Sequence, residues 1–264
     1  MMKFLKKNSI KLIVLLIICW SLAVYVLNYH DAIFKKMYSD KTWTHRVNSV
    51  EKLNEVYDKY AGVELDLVYK FEDDIFDVNH PPAPSTGLTL EYFFKNIKNT
   101  NTQMLWLDYK NLDEQNQVVS LLKLQKLCVE YGILPRNVIV ESTAPEYLYS
   151  FSKAGFKTSY YLPRITEKQG NQKDILITEI NESVDEYSIN YISADKIFFD
   201  ELKNLFPKKE ILTWIVNEES EKASFWDIKE LYNKYRRARK KYKVLSDDKV
   251  LIVLYSYIAE EGNF

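Results

Sequence analysis

Glu64 and Asp66 stand two residues apart in Val63-Glu64-Leu65-Asp66-Leu67, and Asp108 stands two before Lys110 in Leu107-Asp108-Tyr109-Lys110. Residues i and i+2 of a strand point to the same face, so each pair converges, and neighbouring strands would bring the pairs together. Carboxylates gathered in an apolar interior repel one another and resist ionisation. A hard divalent cation, Mg²⁺ or Ca²⁺, relieves this by taking oxygen ligands; an ion-pair network neutralised by lysine is the alternative. The chain has three histidines, His30, His45 and His80. His45 lies in Thr44-His45-Arg46-Val47-Asn48 and His80 in Asp77-Val78-Asn79-His80-Pro81-Pro82. Two imidazoles can pass protons near neutral pH, one accepting and one donating, while Arg46 and Lys110 offset the charge of an anionic substrate. Glu141, in Val140-Glu141-Ser142, reads equally as an additional metal ligand, a supporting residue or a partner for Lys110.

These residues need a scaffold that gathers strand ends. Eight short β-branched or apolar runs alternate with longer segments of helical character. The runs are Trp43–Val47, Val63–Tyr69, Met104–Asp108, Val138–Glu141, Thr158–Leu162, Ser188–Ser193, Ile211–Val216 and Val250–Tyr255. Between them lie Val50–Tyr60, Leu88–Ile97, Glu114–Tyr131, Pro145–Ala154, Gln172–Ser183, Ala194–Leu205 and Ala223–Lys243. Eight strands separated by helices predict a (β/α)₈ TIM barrel of the α/β class, whose reactive side chains sit at the C-terminal ends of the strands. The outer face of such a sheet is covered by helices and wants apolar residues, so Glu64 and Asp66 must point inward.

The N-terminus reads differently. Leu12 to Asn28 carries no charge and is about long enough to span a bilayer. Lys3, Lys6, Lys7 and Lys11 precede it and Asp31 follows, which predicts a single-pass anchor over residues 1–30 with a cytoplasmic N-terminus and residues 31–264 as an extracytoplasmic barrel domain. Ser21-Leu22-Ala23 is a poor cleavage site, so a retained anchor is preferred to a removed signal peptide. His30, beside the segment, reads as an interface residue. After residue 30 the chain holds 32 basic and 37 acidic residues, a net of −5, which argues against nucleic acid as a partner. The two cysteines, Cys19 and Cys128, fall in the apolar run and in a predicted helix, where they pack rather than pair. Arg236, Arg237, Arg239, Lys240, Lys241 and Lys243 form a basic run on the last helix, either a solvated face or one for anionic lipid headgroups.

The order His45-Arg46, Glu64-Leu65-Asp66, His80, Asp108-Tyr109-Lys110, Thr213-Trp214-Ile215-Val216-Asn217 resembles the glycerophosphodiester phosphodiesterases and the phospholipase-D toxins of spider venoms. Asn79-His80-Pro81-Pro82, Leu88-Thr89-Leu90, Trp106-Leu107-Asp108-Tyr109-Lys110 and Val140-Glu141-Ser142 resemble the menorin family within that superfamily. The resemblance implies a metal-dependent phosphodiesterase acting on a glycerophosphodiester or phospholipid headgroup. Glu64, Asp66 and Asp108 would be the metal ligands, His45 and His80 the acid/base pair, Arg46 and Lys110 the phosphate contacts, and Trp214 and Asn217 the pocket lining. The chain departs from the pattern at Val47, where a glycine is usual, at Pro81 in place of an aspartate, and at Asp108, the shorter acid found in the toxins. A non-catalytic, membrane-tethered barrel serving as a binding or scaffold module is the rival expectation.

Overall fold

The computed structural model describes residues 2–216 and 222–257. The chain parts into two compact units, one of Met1–Ser39 with Glu218–Asp247 and one of Asp40–Asn217 with Asp248–Phe264.

The larger unit holds β1 (Thr42–His45), α2 (Val50–Val56), β2 (Gly62–Lys70), β3 (Ile75–Val78), α3 (Leu90–Lys95), β4 (Met104–Tyr109), α4 (Gln117–Tyr131), β5 (Val138–Ser142), α5 (Tyr149–Lys153), β6 (Lys157–Tyr161), α6 (Asn171–Glu186), β7 (Tyr191–Ser193), α7 (Phe199–Leu205), β8 (Glu210–Ile215) and β9 (Val250–Ser256). Eight of these strands run parallel in the order β1-β9-β8-β7-β6-β5-β4-β2, and pairing of β1 with β2 closes them into the predicted TIM barrel. Each predicted strand has its counterpart. Except for α6, which is longer, the helices are shorter than the sequence suggests: Pro145 starts and Asp195 caps a short 3₁₀ turn ahead of the α-helix that follows.

The sequence did not resolve β3. Glu72, Asp73 and Asp74 lie in a turn, with Asp74 in the left-handed region (φ 49°), and the chain folds back so that Ile75–Val78 pairs antiparallel with the far end of β2, Leu67 against Val78 and Lys70 against Ile75. Aspartate tolerates this backbone region better than most residues, which makes the turn possible without glycine.

Period-two alternation sorts the barrel's side chains. Leu105 and Leu107 of β4, and Val138 and Val140 of β5, are buried on the face opposite to Trp106, Asp108, Ile139 and Glu141. Trp43, Trp106, Ile139, Leu212, Ile252 and Leu254 pack into one buried cluster. Gly62 is needed against this cluster, because a Cβ there would lie 2.4–2.6 Å from ring atoms of Trp43. The indole is itself buried in that cluster. Gly62→Ala should therefore destabilise the barrel by about 1–3 kcal/mol, read as a lower urea midpoint with an unchanged slope.

The smaller unit pairs α1 (Met2–Met37) with α8 (Ile228–Leu245). Within α1, Ile10–Met37 is long and apolar enough to cross a membrane, and the side chains from Leu12 to Ile18 are all exposed. α8 lays Leu231, Lys234, Ala238, Lys241, Val244 and Leu245 on its buried side. Asn28 accepts a hydrogen bond from the Ala223 N–H and donates one to its carbonyl (2.8 and 3.0 Å), and the Lys241 ammonium meets Asp31 at 2.7 Å.

Candidate active site

Register brings the acids to one level. Asp66 of β2 lies opposite Asp108 of β4, and Asp108 lies opposite Glu141 of β5. Glu64 is one pleat below Asp66 on the same face. The carboxylates of Glu64, Asp66 and Asp108 each offer an oxygen, and these oxygens lie within 4.8 Å of one another. His45 is the last residue of β1. His80 follows β3, and its position is held because the Asn79 N–H donates to the Asp66 carbonyl at 3.0 Å. The hairpin thus delivers a residue far in sequence from β1 to the same mouth.

The surroundings treat the three acids unequally. Lys110 donates to Asp66 at 2.8 Å and also pairs with Asp108. Asn48 clamps Asp66, its amide donating to Oδ2 at 2.7 Å while its carbonyl accepts from the Asp66 N–H at 3.0 Å. Glu64 has no such cation in contact: it accepts from the Arg46 N–H at 2.6 Å and lies 3.8 Å from His45 Nε2. Burial pushes the Glu64 carboxyl well above the usual range, and the charges of Asp66 and Asp108 push the same way. Burial also raises Asp108, against the pull of Lys110. For Lys110 burial disfavours the charged form, but Asp108 and Asp66 outweigh it and hold the ammonium above its ordinary value. A set of three carboxylates, two buried and Asp108 half-buried, with one ammonium between two of them, keeps an excess of negative charge that fits a hard divalent cation.

The imidazoles also differ. Burial first, and the neighbouring Arg46 charge second, lower His45 to about 4, so the ring is neutral across the physiological range and free to accept a proton. His80 Nε2 lies 2.7 Å from Arg46 Nη2. A guanidinium can only donate, so Nε2 is the acceptor here and the ring proton sits on Nδ1. Arg46 itself takes a left-handed backbone (φ 53°), held by its N–H on Glu64 and by the Lys52 ammonium, which donates to the carbonyls of His45 and Arg46 at 2.9 and 3.0 Å.

All of the residues singled out in the sequence and described here line one cavity of about 170 Å³: His45, Arg46, Glu64, Asp66, His80, Asp108, Lys110, Glu141 and Trp214. Asn217 lies outside the described residues. Glu141 stands apart from the acid cluster and accepts from Ser159 Oγ at 2.8 Å. Sequence reasoning missed Asn48, Lys52, Trp106 and Tyr161. Asn48 lies three residues past the strand that ends at His45, just before the helix cap Ser49, which accepts from the Lys52 N–H. Trp106 is two residues before Asp108, and its inward direction follows from the same alternation. Nothing in the sequence marks Lys52.

No protein-family model and no curated protein sequence matches this chain. Solved structures do. A glycerophosphodiester phosphodiesterase from Parabacteroides distasonis superposes with a TM-score of 0.53 at 13% identity, covering 82% of this chain and 92% of that one. The fold is that of the glycerophosphodiester phosphodiesterases. The Thermotoga maritima enzyme of that name gives 0.52 at 15% identity over 81% and 93% of the two chains. An Oleispira antarctica phosphodiesterase, solved with the product sn-glycerol-3-phosphate, gives 0.52 at 13% over 84% and 94%.

Burial pushes Glu141 up to about 8, with the Asp108 charge adding to it against the hydrogen bonds from Ser193 and Ser159. A carboxyl whose folded pKa exceeds its unfolded value near 4.5 binds a proton in the folded state first, so its contribution to stability is lost as pH rises between the two. Metal-free protein should lose stability between about pH 5 and pH 8, and Glu141→Gln should flatten that decline in urea titrations repeated across pH.

Proposed function

We propose that the chain is a metal-dependent phosphodiesterase acting on a glycerophosphodiester or a phospholipid headgroup. The observation that carries this reading is the convergence of three carboxylates, two of them buried and Asp108 half-buried, two imidazoles and two cations on one cavity at the C-terminal end of the strands. The glycerol phosphate product of the Oleispira antarctica neighbour supports the substrate class. The segments Asn79–Pro82 and Trp106–Lys110 support a place near the menorin family within that superfamily.

Glu64, Asp66 and Asp108 hold the divalent ion, Mg²⁺ or Ca²⁺, which when bound supplies charge stabilisation to the phosphoryl oxygens. Neutral His45 accepts the proton of the attacking hydroxyl, from water or from the substrate itself, and Glu64 beside it stabilises the imidazolium that forms. His80, reprotonated from solvent, gives a proton to the leaving oxygen. For this, Arg46 must leave His80 Nε2, and the incoming phosphate is the group that draws it away, since a guanidinium binds phosphate in a bidentate fork. Lys110 stays between Asp66 and Asp108 and adds positive charge facing the phosphate. A structural metal site would need neither the imidazoles nor this second cation, which favours catalysis over a purely binding barrel. The apolar helix α1 serves as a retained anchor with its lysine-rich start in the cytoplasm and the barrel outside.

The deciding measurement is turnover of glycerophosphodiesters and lysophospholipids by the full chain in detergent with Mg²⁺, Ca²⁺ or EDTA. Turnover should require metal and fall by at least about 10²-fold in both His45→Ala and His80→Ala, the ordinary contribution of one proton-transfer group. No turnover of any substrate, with ligand binding unchanged in both variants, would assign the barrel to binding instead. Asn48→Ala should weaken metal affinity about 10–100-fold by freeing Asp66, measured by calorimetric titration independently of any substrate.

A further inference from the structure

Five paired positions show how α8 lies along the outer half of α1. The Trp20 indole donates to the Phe225 carbonyl at 3.1 Å, Asn28 bonds Ala223, Val24 packs on Leu231, Lys241 meets Asp31, and Phe34 faces Tyr242. Ala223 lies on the segment that descends to Phe225, and from Phe225 onward both helices advance in the same direction through the other four contacts. The turn before α8 therefore sits beside the middle of the apolar segment of α1, and the end of α8 beside its polar C-terminus.

Along one face of α8 and its leading turn the exposed residues change character in the same order, although Asp227 and Lys229 are also exposed near its start and Tyr242 near its end. Trp226 is 81% and Ile228 61% exposed, large apolar groups with no protein cover. One to two turns later come Tyr232 and Tyr235, both exposed, and then the exposed cations Arg236, Arg239 and Lys240. Positions 228, 232, 235, 236, 239 and 243 recur at helical spacing and make one face, opposite the buried Leu231, Ala238 and Leu245. This outward face carries no acid; Glu230 lies off it and is paired with Arg237. On α1 at the same level stand Trp20, Tyr25 and Tyr29, with Lys222 over the Tyr29 ring.

Apolar groups, then tyrosine and tryptophan, then cations is the order met on leaving a bilayer: hydrocarbon edge, interface, phosphate layer. We propose that the turn at Phe225–Ile228 inserts among the acyl chains of the outer leaflet beside α1 and that the basic face of α8 rests on anionic headgroups, making α8 a second membrane-binding element. This rests on the membrane-anchor reading of α1. The contacts with α1 set the depth: at about 1.5 Å per residue, Arg236 stands roughly 15 Å along the helix from Trp226, about the hydrocarbon thickness of one leaflet, so α8 places its cations at the headgroups when its start lies among the acyl chains.

The test uses the full chain with Cys19→Ser, leaving Cys128 unreactive because burial pushes its thiol up to about 12. Ile228→Cys and, separately, Lys240→Cys are labelled with bimane and reconstituted into vesicles of phosphatidylcholine with or without phosphatidylglycerol. Vesicle flotation reports insertion by itself, so a chain that fails to float overturns the anchor reading and this proposal with it. In floated protein the label at 228 should shift to the blue, be quenched by acyl-chain spin labels and be shielded from iodide, while the label at 240 should be quenched by a headgroup spin label. Arg236→Gln with Arg239→Gln should remove the added quenching seen with phosphatidylglycerol. Equal access of iodide to both positions in floated protein would overturn the second element and leave the anchor standing.

Discussion

Negative charge held out of water at one end of the barrel is the constraint around which the rest is arranged. Three carboxylates within 4.8 Å cannot all be ionised in such a place unless something positive is present. Lys110 answers for Asp66 and Asp108, and Asn48 and the Arg46 N–H fix the oxygens left over. Glu64 is the residue whose charge the protein does not balance by itself. The same repulsion suits the site to a small divalent cation.

Much of this was legible in the sequence, for a definite reason. In a helix-covered parallel sheet both faces should be apolar, so an acid inside a strand is an anomaly that has to be explained by an interior site. Glu64, Asp66, Asp108 and Glu141 all stood out in that way, and alternation alone then assigned them to one face. The strand count worked because each run is short, β-branched and separated from the next by a segment of helical length.

What was not legible depends on contacts between distant segments. Asn48 looks like any helix-capping residue until the backbone of Asp66 is placed beside it. The pairing of Arg46 with His80 joins residues 34 apart, and neither carries a local mark of the other. β3 was hidden because four residues give too short an alternation, and because an acidic turn without glycine or proline does not advertise a hairpin. The assignment of the last helix to the N-terminal unit had no signal in the βα alternation; it turns on Asn28 and Asp31, which read as flanking residues of an apolar segment.

The long second strand has a mechanical meaning. Six residues of β2, Gly62 to Leu67, pair with β4, and its last four, Leu67 to Lys70, pair with β3, whose end delivers His80. Glu64, Asp66 and His80 are consequently mounted on one ribbon. Their separation behaves as a fixed ruler, insensitive to the lengths of the other loops around the rim. Those loops can be lengthened, shortened or reshaped without changing the distance between the carboxylates of β2 and the imidazole of His80.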